Sequence, residues 1–399
     1  MRAVRQTTRD LRRRNRATLL SSLYLDGPVS RLELGRESGL SPATVTNVVA
    51  ELIGDGVVAE AGLVESDGGR PRTLLRIRSE FGQVIGVDVG ETRVRVGLFD
   101  CLLETIATVS HPLGGTPLDP EEVAGVVLTG IGDVLGQRGT DPASVFGIGI
   151  GVPGAVREGG IVHAPTLGWS GVGFADLLRQ GVSAPLYLDN CARTLGQAEM
   201  WRGAGKGAER AVIALLGVGV GAAMATGGDS FSGVSSTTAE WGHTVVQAGG
   251  LACRCGSRGC LEAYTGSDAI VRAYHRLPGA EPILATGSEA MLAELVERAG
   301  SPGPAAAALD RAAEYLGIGI ANLVNLLGPD RVVLAGWAGA MLGPAILPAV
   351  RDAVGRHALS YLSEQTEVVL GALGTEAVAL GAATLPIAEL LASGGRSAG

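Results

Sequence analysis

Between Glu240 and Glu262 the chain reads E-W-G-H-T-V-V-Q-A-G-G-L-A-C-R-C-G-S-R-G-C-L-E. His243, Cys253, Cys255 and Cys260 supply one imidazole and three thiols, the number and kind of donors that close a tetrahedral Zn²⁺ shell. Three of the chain's five cysteines fall within eight positions, and Gly256 and Gly259 let the backbone fold tightly around an ion. Surface thiols on a glycine-rich loop, or one disulfide with a cysteine left over, are the competing readings; the spacing of all four donors together favours zinc. A closed His/Cys₃ shell has no position for a reactive water, so the metal is expected to be structural and a zinc hydrolase is excluded. Glu240 and Glu262 bracket the loop. A metal-pinned loop would hold both carboxylates in fixed positions, as a site for hydroxyl groups requires; alternatively, Glu262 only opens the next helix, where an acid suits the dipole.

E-x-G-H followed by C-x-C-G-x-x-G-C-x-E resembles the signature of the ROK family (repressors, open reading frames and sugar kinases), and the likeness extends over about residues 83–390. The resemblance implies an α/β, two-lobed, actin-like (ribonuclease H-like) body. Lobe 1 would span 83–189 and be rejoined by a C-terminal helix at about 376–391; lobe 2, with the zinc loop, would span 190–375. It also implies that Glu240, His243 and Glu262 bind sugar hydroxyls, with His243 doubling as a zinc ligand. The strand–turn–strand with Asp88 and Gly90 resembles the first phosphate motif of the actin-like sugar kinases. A-P-T-L (Ala164–Leu167) is similar to a loop that lines the family's sugar cleft, with Thr166 replacing an asparagine. In D-N-C-A (Asp189–Ala192), Asn190 matches the family's sugar-binding asparagine. Cys191 stands where ROK kinases carry the aspartate that deprotonates the sugar. The kinases' G-T-G-x-G-G-G phosphate turn has become G-V-G-V-G-A-A (Gly217–Ala223), and Trp337 replaces glycine on the adenosine side. Loss of a general base alone typically costs about 10²–10⁴-fold, and an unperturbed thiol, with a pKa near about 8.5, is a poor substitute. The body is therefore expected to be non-catalytic. The alternative is an ATP-dependent ROK sugar kinase with an accessory DNA-binding domain.

At 399 residues, 46% hydrophobic and 18% charged, the chain should form two or three domains with sizeable cores. No secretory pattern opens it. Val332–Val350 is uncharged and long enough to span a membrane, but Pro344, Pro348 and three glycines make it read as a buried strand, loop and helix start. A cytoplasmic chain with no membrane partner and with reduced thiols is expected. The net charge of −8 is uneven: residues 1–78 hold 13 Arg against 9 acids, a net of +4, and the remainder carries −12. An anionic partner is expected at the N-terminus alone.

Residues 1–78 supply the module for such a partner. Residues 1–16, with seven arginines, read as a basic arm, and Ala17–Leu25 as a first helix. Ser30 and Glu33 form a capping box for a second helix. Ser41 caps a third, with Pro42 at its first position, and Val45, Val48, Val49, Leu52 and Ile53 face inward. That is a helix-turn-helix, whose second helix would present Ser41, Thr44, Thr46 and Asn47 to the major groove. Val57–Val64 and Thr73–Ile77 read as a hairpin wing with Arg70 and Arg72 at its tip, suited to phosphates or a minor groove. The combined expectation is a winged-helix repressor of carbohydrate genes. It would bind double-stranded operator DNA and a sugar or sugar-phosphate effector, and act as a homodimer or homotetramer.

Overall fold

The computed structural model describes residues 7–66, 69–115, 117–226 and 240–396. Helix α1 (Thr8–Leu25) begins earlier than its apolar face suggests. Thr7 and Asp10 form a reciprocal capping box, so the arginines expected in a flexible arm lie on the helix from residue 9 onward. Strand β1 (Val29–Ser30) leads into α2 (Arg31–Ser38), with the Ser30/Glu33 box in place, and α3 (Pro42–Gly54) is capped by Ser41. Strands β2 (Val58–Ser66) and β3 (Gly69–Ile77) pair antiparallel, with β1 on the other edge of β3. The wing is longer than its composition suggests: Arg72 pairs with Val64 inside the ladder rather than sitting at the tip. The side chain of Arg70 lies outside the described residues.

The first lobe carries a five-stranded sheet built from β4 (Gln83–Val89), β5 (Arg93–Asp100), β6 (Thr105–Pro112), β7 (Val145–Val152) and β11 (Leu186–Asn190), in the order β11-β7-β4-β5-β6. Between β6 and β7 runs α4 (Pro120–Arg138). A small sheet of β8 (Ala155–Arg157), β9 (Ile161–Ala164) and β10 (Trp169–Gly173), followed by α5 (Phe174–Arg179), precedes β11. Helix α6 (Cys191–Arg202) then crosses to the second lobe. There β12 (Arg210–Leu216) and β13 (Val220–Thr226) form a hairpin. Helices α7 (Glu262–Thr265), α8 (Ser267–Tyr274), α9 (Ser288–Arg298) and α10 (Pro304–Leu327) follow. Next come β14 (Arg331–Ala335), α11 (Gly336–His357), α12 (Ser360–Ser363) and β15 (Glu367–Leu370), completing a β13-β12-β14-β15 sheet. The expected loop after β14 does not form. Gly336, at φ +84°, turns strand directly into helix, and Pro344 and Pro348 lie within α11.

Helix α13 (Ala377–Ala392) closes the fold. It packs on β4, β7 and β11 and lies beside α6, which packs on β12 and β13, so the two helices form a layer between the sheets. The approach is at backbone distance. A Cβ on Gly86 would sit 1.9 Å from the Ala379 carbonyl oxygen, and one on Gly149 would sit 1.7 Å from that of Ala382. Among the described residues, one helical stretch, Gly374–Ala392, is long and apolar enough to cross a membrane, and 61% of it is buried inside the protein. Its far end joins the winged helix: Ile387, Leu390 and Leu391 share one core with Leu19, Leu20, Leu23 and Leu52. Arg16, 4% exposed, fastens the joint. It donates to the Gly394 carbonyl at 2.8 Å, to Glu51 at 3.1 Å and to Asp55 at 2.7 Å.

Candidate functional site

His243 ends a short 3₁₀ turn that starts at Trp241, and Trp241 and Leu261 anchor the two ends of the cysteine loop in the second lobe's core. The ligand atoms of His243, Cys253, Cys255 and Cys260 all lie within 4.8 Å of one another. Cys253 Sγ is 3.6 Å from His243 Nδ1, and Cys255 Sγ is 3.8 Å from Cys260 Sγ. A tetrahedral ion with metal–sulfur bonds of about 2.3 Å and metal–nitrogen bonds of about 2.0–2.1 Å spaces its ligands by about 3.8 Å (S···S) and about 3.6 Å (S···N). These two distances match that geometry, and the four donors lie near enough together to hold a metal ion.

Beside this cluster a cavity of about 130 Å³ opens between the lobes, and Asn190, Thr166, Glu240, His243 and Glu262 all line it. Asn190 is buried and caps α6. Its Oδ1 accepts from the Ala192 and Arg193 amides, and its Nδ2 donates to the Gly154 carbonyl at 2.7 Å. One Nδ2 hydrogen remains for another partner. Thr166 turns a buried hydroxyl toward the same cavity, and that hydroxyl has no hydrogen-bond partner. Glu240 is exposed at the rim.

Glu262 is more than a helix start. One carboxylate oxygen accepts from Arg254 Nε at 2.7 Å; the other accepts from the Val220 amide at 3.0 Å and from Arg254 Nη2 at 3.1 Å. Arg254 Nη1 reaches Glu91 at 2.6 Å. Burial works against the Arg254 charge, but its bonds to Glu262 and Glu91 win, and its pKa is raised. The Glu91 carboxyl is raised too, because burial outweighs Arg254 there. These three side chains cover one side of the Gly217–Gly219 turn. A Cβ on Gly219 would meet Arg254 Nη2 at 2.8 Å, Glu262 Oε2 at 3.1 Å and Glu91 Oε1 at 3.5 Å. Trp337 closes on the turn from elsewhere, its Nε1 3.2 Å from where a Gly217 Cβ would stand.

The floor of the cleft is occupied by charge. Asp88, on β4, is 3.6 Å from Arg95 on β5, and Arg95 also contacts Glu289 and lies 3.7 Å from Glu376. Burial pushes the Asp88 carboxyl up to about 6 against the pull of Arg95. Burial, with Asp88 adding, drives the Cys191 thiol far above its ordinary value, so it stays neutral. The preceding Asp189 is paired with Arg193 at 2.7 Å. Glu91, Arg93, Arg95, Arg254 and Glu289 all escaped the sequence reading. Two local signals were present: an arginine between Cys253 and Cys255, and an acid directly after D-V-G.

On the winged helix, Asn47 and Thr46 are exposed near the start of α3, with Thr46 Oγ1 donating to the Pro42 carbonyl at 2.8 Å. Ser41, exposed, and Thr44, half-buried, share a hydroxyl–hydroxyl hydrogen bond of 2.9 Å at the start of the helix. Arg72 is exposed on β3.

Three comparisons bear on this geometry. The chain is 27% identical over 391 residues to a xylose repressor of Caldicellulosiruptor bescii, covering 96% of this chain and 97% of that one. It is 29% identical over 317 residues to a glucokinase of Halalkalibacterium halodurans, covering 74% of this chain and 92% of the kinase. A solved ROK family transcriptional regulator, a homologue of the E. coli MLC protein, superimposes with a TM-score of 0.78 at 23% identity, over 96% of this chain and 98% of that one, a likeness of fold. The family model described as "ROK family" matches residues 84–389, which take in both lobes, the interlobe cleft and the His/Cys₃ loop; the chain belongs to the ROK family.

Proposed function

We propose that this protein is a sugar-responsive transcriptional regulator, acting in the cytoplasm as a repressor of carbohydrate genes. The observation that carries the reading is the state of the cleft. The sugar end keeps its polar groups, while the turn that would receive phosphates is crowded on one side by Glu91 and Arg254 and approached by Trp337. A kinase also needs a base near the accepting hydroxyl. The neutral Cys191 thiol cannot act as one, and Asp189 is held by Arg193. The full-length likeness to a repressor, against a three-quarter likeness to a glucokinase, supports the same conclusion.

In this reading residues 1–78 bind operator DNA, with Asn47 and Thr46 at base edges and Arg70 and Arg72 on phosphates or in the minor groove. Ser41 and Thr44, at the start of the recognition helix, face the DNA beside them. Thr166, Asn190, Glu240, His243 and Glu262 hold the sugar across the cleft between the lobes, 83–189 and 190–375. The ion held by His243, Cys253, Cys255 and Cys260 is zinc. Its closed shell makes it structural: it fixes Glu240 and Glu262 and supplies no reacting water. Sugar binding shifts the population of lobe arrangements. The head would follow, because it rests on the layer between the lobes: Tyr24 packs edge-on against Trp201 of α6 at 5.6 Å, and Leu20 lies in one core with Ile387 of α13. A homodimer would then set the spacing of two heads on operator half-sites.

The test joins two measurements on the full chain. Thermal-shift screening with neutral and phosphorylated monosaccharides should find one that stabilises the protein, and the same sugar should change operator affinity in a mobility-shift assay. ATP-dependent phosphorylation of any bound sugar would overturn the reading in favour of the kinase.

A further inference from the structure

Two ion-pair bridges cross the cleft. In the first, Glu91 on the β4–β5 turn of the first lobe meets Arg254 at 2.6 Å. Arg254 belongs to the second lobe, because its loop is rooted there by Trp241 and Leu261. In the second, Arg93 and Arg95 on β5 converge on Glu289, Arg93 at 3.4 Å. Glu289 stands in the first turn of α9, which Leu292 and Leu295 anchor in the second lobe's core. The partners are 163 and 194 residues apart in sequence.

We propose that these bridges are an intramolecular latch: the protein's own side chains hold its two lobes together at the end of the cleft that carries the two phosphate-type turns. Surface ion pairs rarely do such work, since solvent and salt screen them. Each bridge here has one sheltered member: the Glu91 side chain is 12% exposed and that of Arg95 5%, while Arg93 adds a more open contact to Glu289. Removing Glu91 or Glu289 would leave Arg254 with Glu262, or Arg95 with Asp88 and Glu376, partners that do not cross the cleft by the same route, so the link between the lobes is what is lost. The polarity also alternates. One bridge sends an acid from the first lobe to a base on the second, and the other sends bases from the first to an acid on the second. Sliding the lobes past each other would bring like charges together, so the pair selects an orientation as well as a separation.

The test needs neither sugar nor DNA, so it stands apart from the assignment as a regulator. Glu91→Gln, Glu289→Gln and the double variant keep the size of the side chain and remove its charge. In the ligand-free full chain, amide exchange in residues 88–93 and 217–220 should speed up by about tenfold in each single variant and further in the double, as expected for losing a partly buried pair. The radius of gyration from small-angle scattering should rise in the same order, while the core strands β7 and β12 keep their protection. A double variant with wild-type exchange and radius overturns the latch, and so does exchange that rises equally in β7 and β12. If those variants do not fold, Arg93→Gln, at the exposed end of the second bridge, carries the test: its exchange in residues 88–93 should rise, and wild-type exchange there overturns the proposal.

Discussion

Asp88 shows how one carboxyl records the cost of the cleft. Its pKa is raised from 3.8 to about 6, chiefly by burial. A group that holds its proton more tightly folded than unfolded makes stability fall as pH rises through that window, and the loss is complete above it. Asp88→Asn should therefore flatten the stability slope between about pH 4 and about pH 6 in chemical denaturation. Arg95 keeps Glu289 and Glu376 as partners. Unchanged slopes in wild type and variant would discard this account of Asp88. On the head, Asn47→Ala should relax operator preference at one or two base pairs by about 1–3 kcal/mol each. Arg72→Ala should weaken all sequences alike and reduce the salt slope by about one; a sequence-specific loss at Arg72 would contradict the division of labour. Legibility at this scale depends on chain separation. The four metal-type donors could be read because they lie within 18 positions of one another, from His243 to Cys260. The Arg254–Glu91 contact could not, because nothing local reports a partner 163 residues away.

Among the elements, the cysteine loop and the joint between α1 and α13 make the clearest predictions. Cys255→Ser should remove the bound metal, measured by elemental analysis of reduced protein. Cys191→Ser, outside the donor set, should retain about one ion per chain, the stoichiometry of a single closed site. Equal metal in wild type and Cys255→Ser would end the zinc assignment. At the joint, Ile387 is fully buried, so Ile387→Ala should cost about 2–5 kcal/mol of stability. It should also weaken operator binding, although α13 lies outside the helix-turn-helix. Operator affinity equal to wild type at a temperature where the variant remains folded would uncouple the head from α13. Caps carried much of the element reading: Ser30 and Ser41 each start the helix expected of them. The start of α1 was missed because a Thr7–Asp10 box is a weak signal among arginines. The length of the wing was missed because Gly69 and Pro71 look like turn residues, yet β3 runs through both.

For the molecule as a whole, the actin-like body was legible from its motifs and the winged helix from its periodicity, but their fusion was not. The sequence shows a basic head on an acidic body and gives no sign that the two share a core. That shared core has a consequence in time. Residues 1–78 leave the ribosome before the two lobes, and domains ordinarily fold as they emerge. Here the apolar face of α1 meets Ile387, Leu390 and Leu391 only when α13 has been made, and Arg16 finds the Gly394 carbonyl later still. The head is synthesised before the body and completed after it. Nascent chains stalled before residue 377 should have a head that proteases cut readily, and release of the full chain should protect it. A truncated product would then be a poor competitor for operator sites, because only a finished polypeptide has a finished reading head.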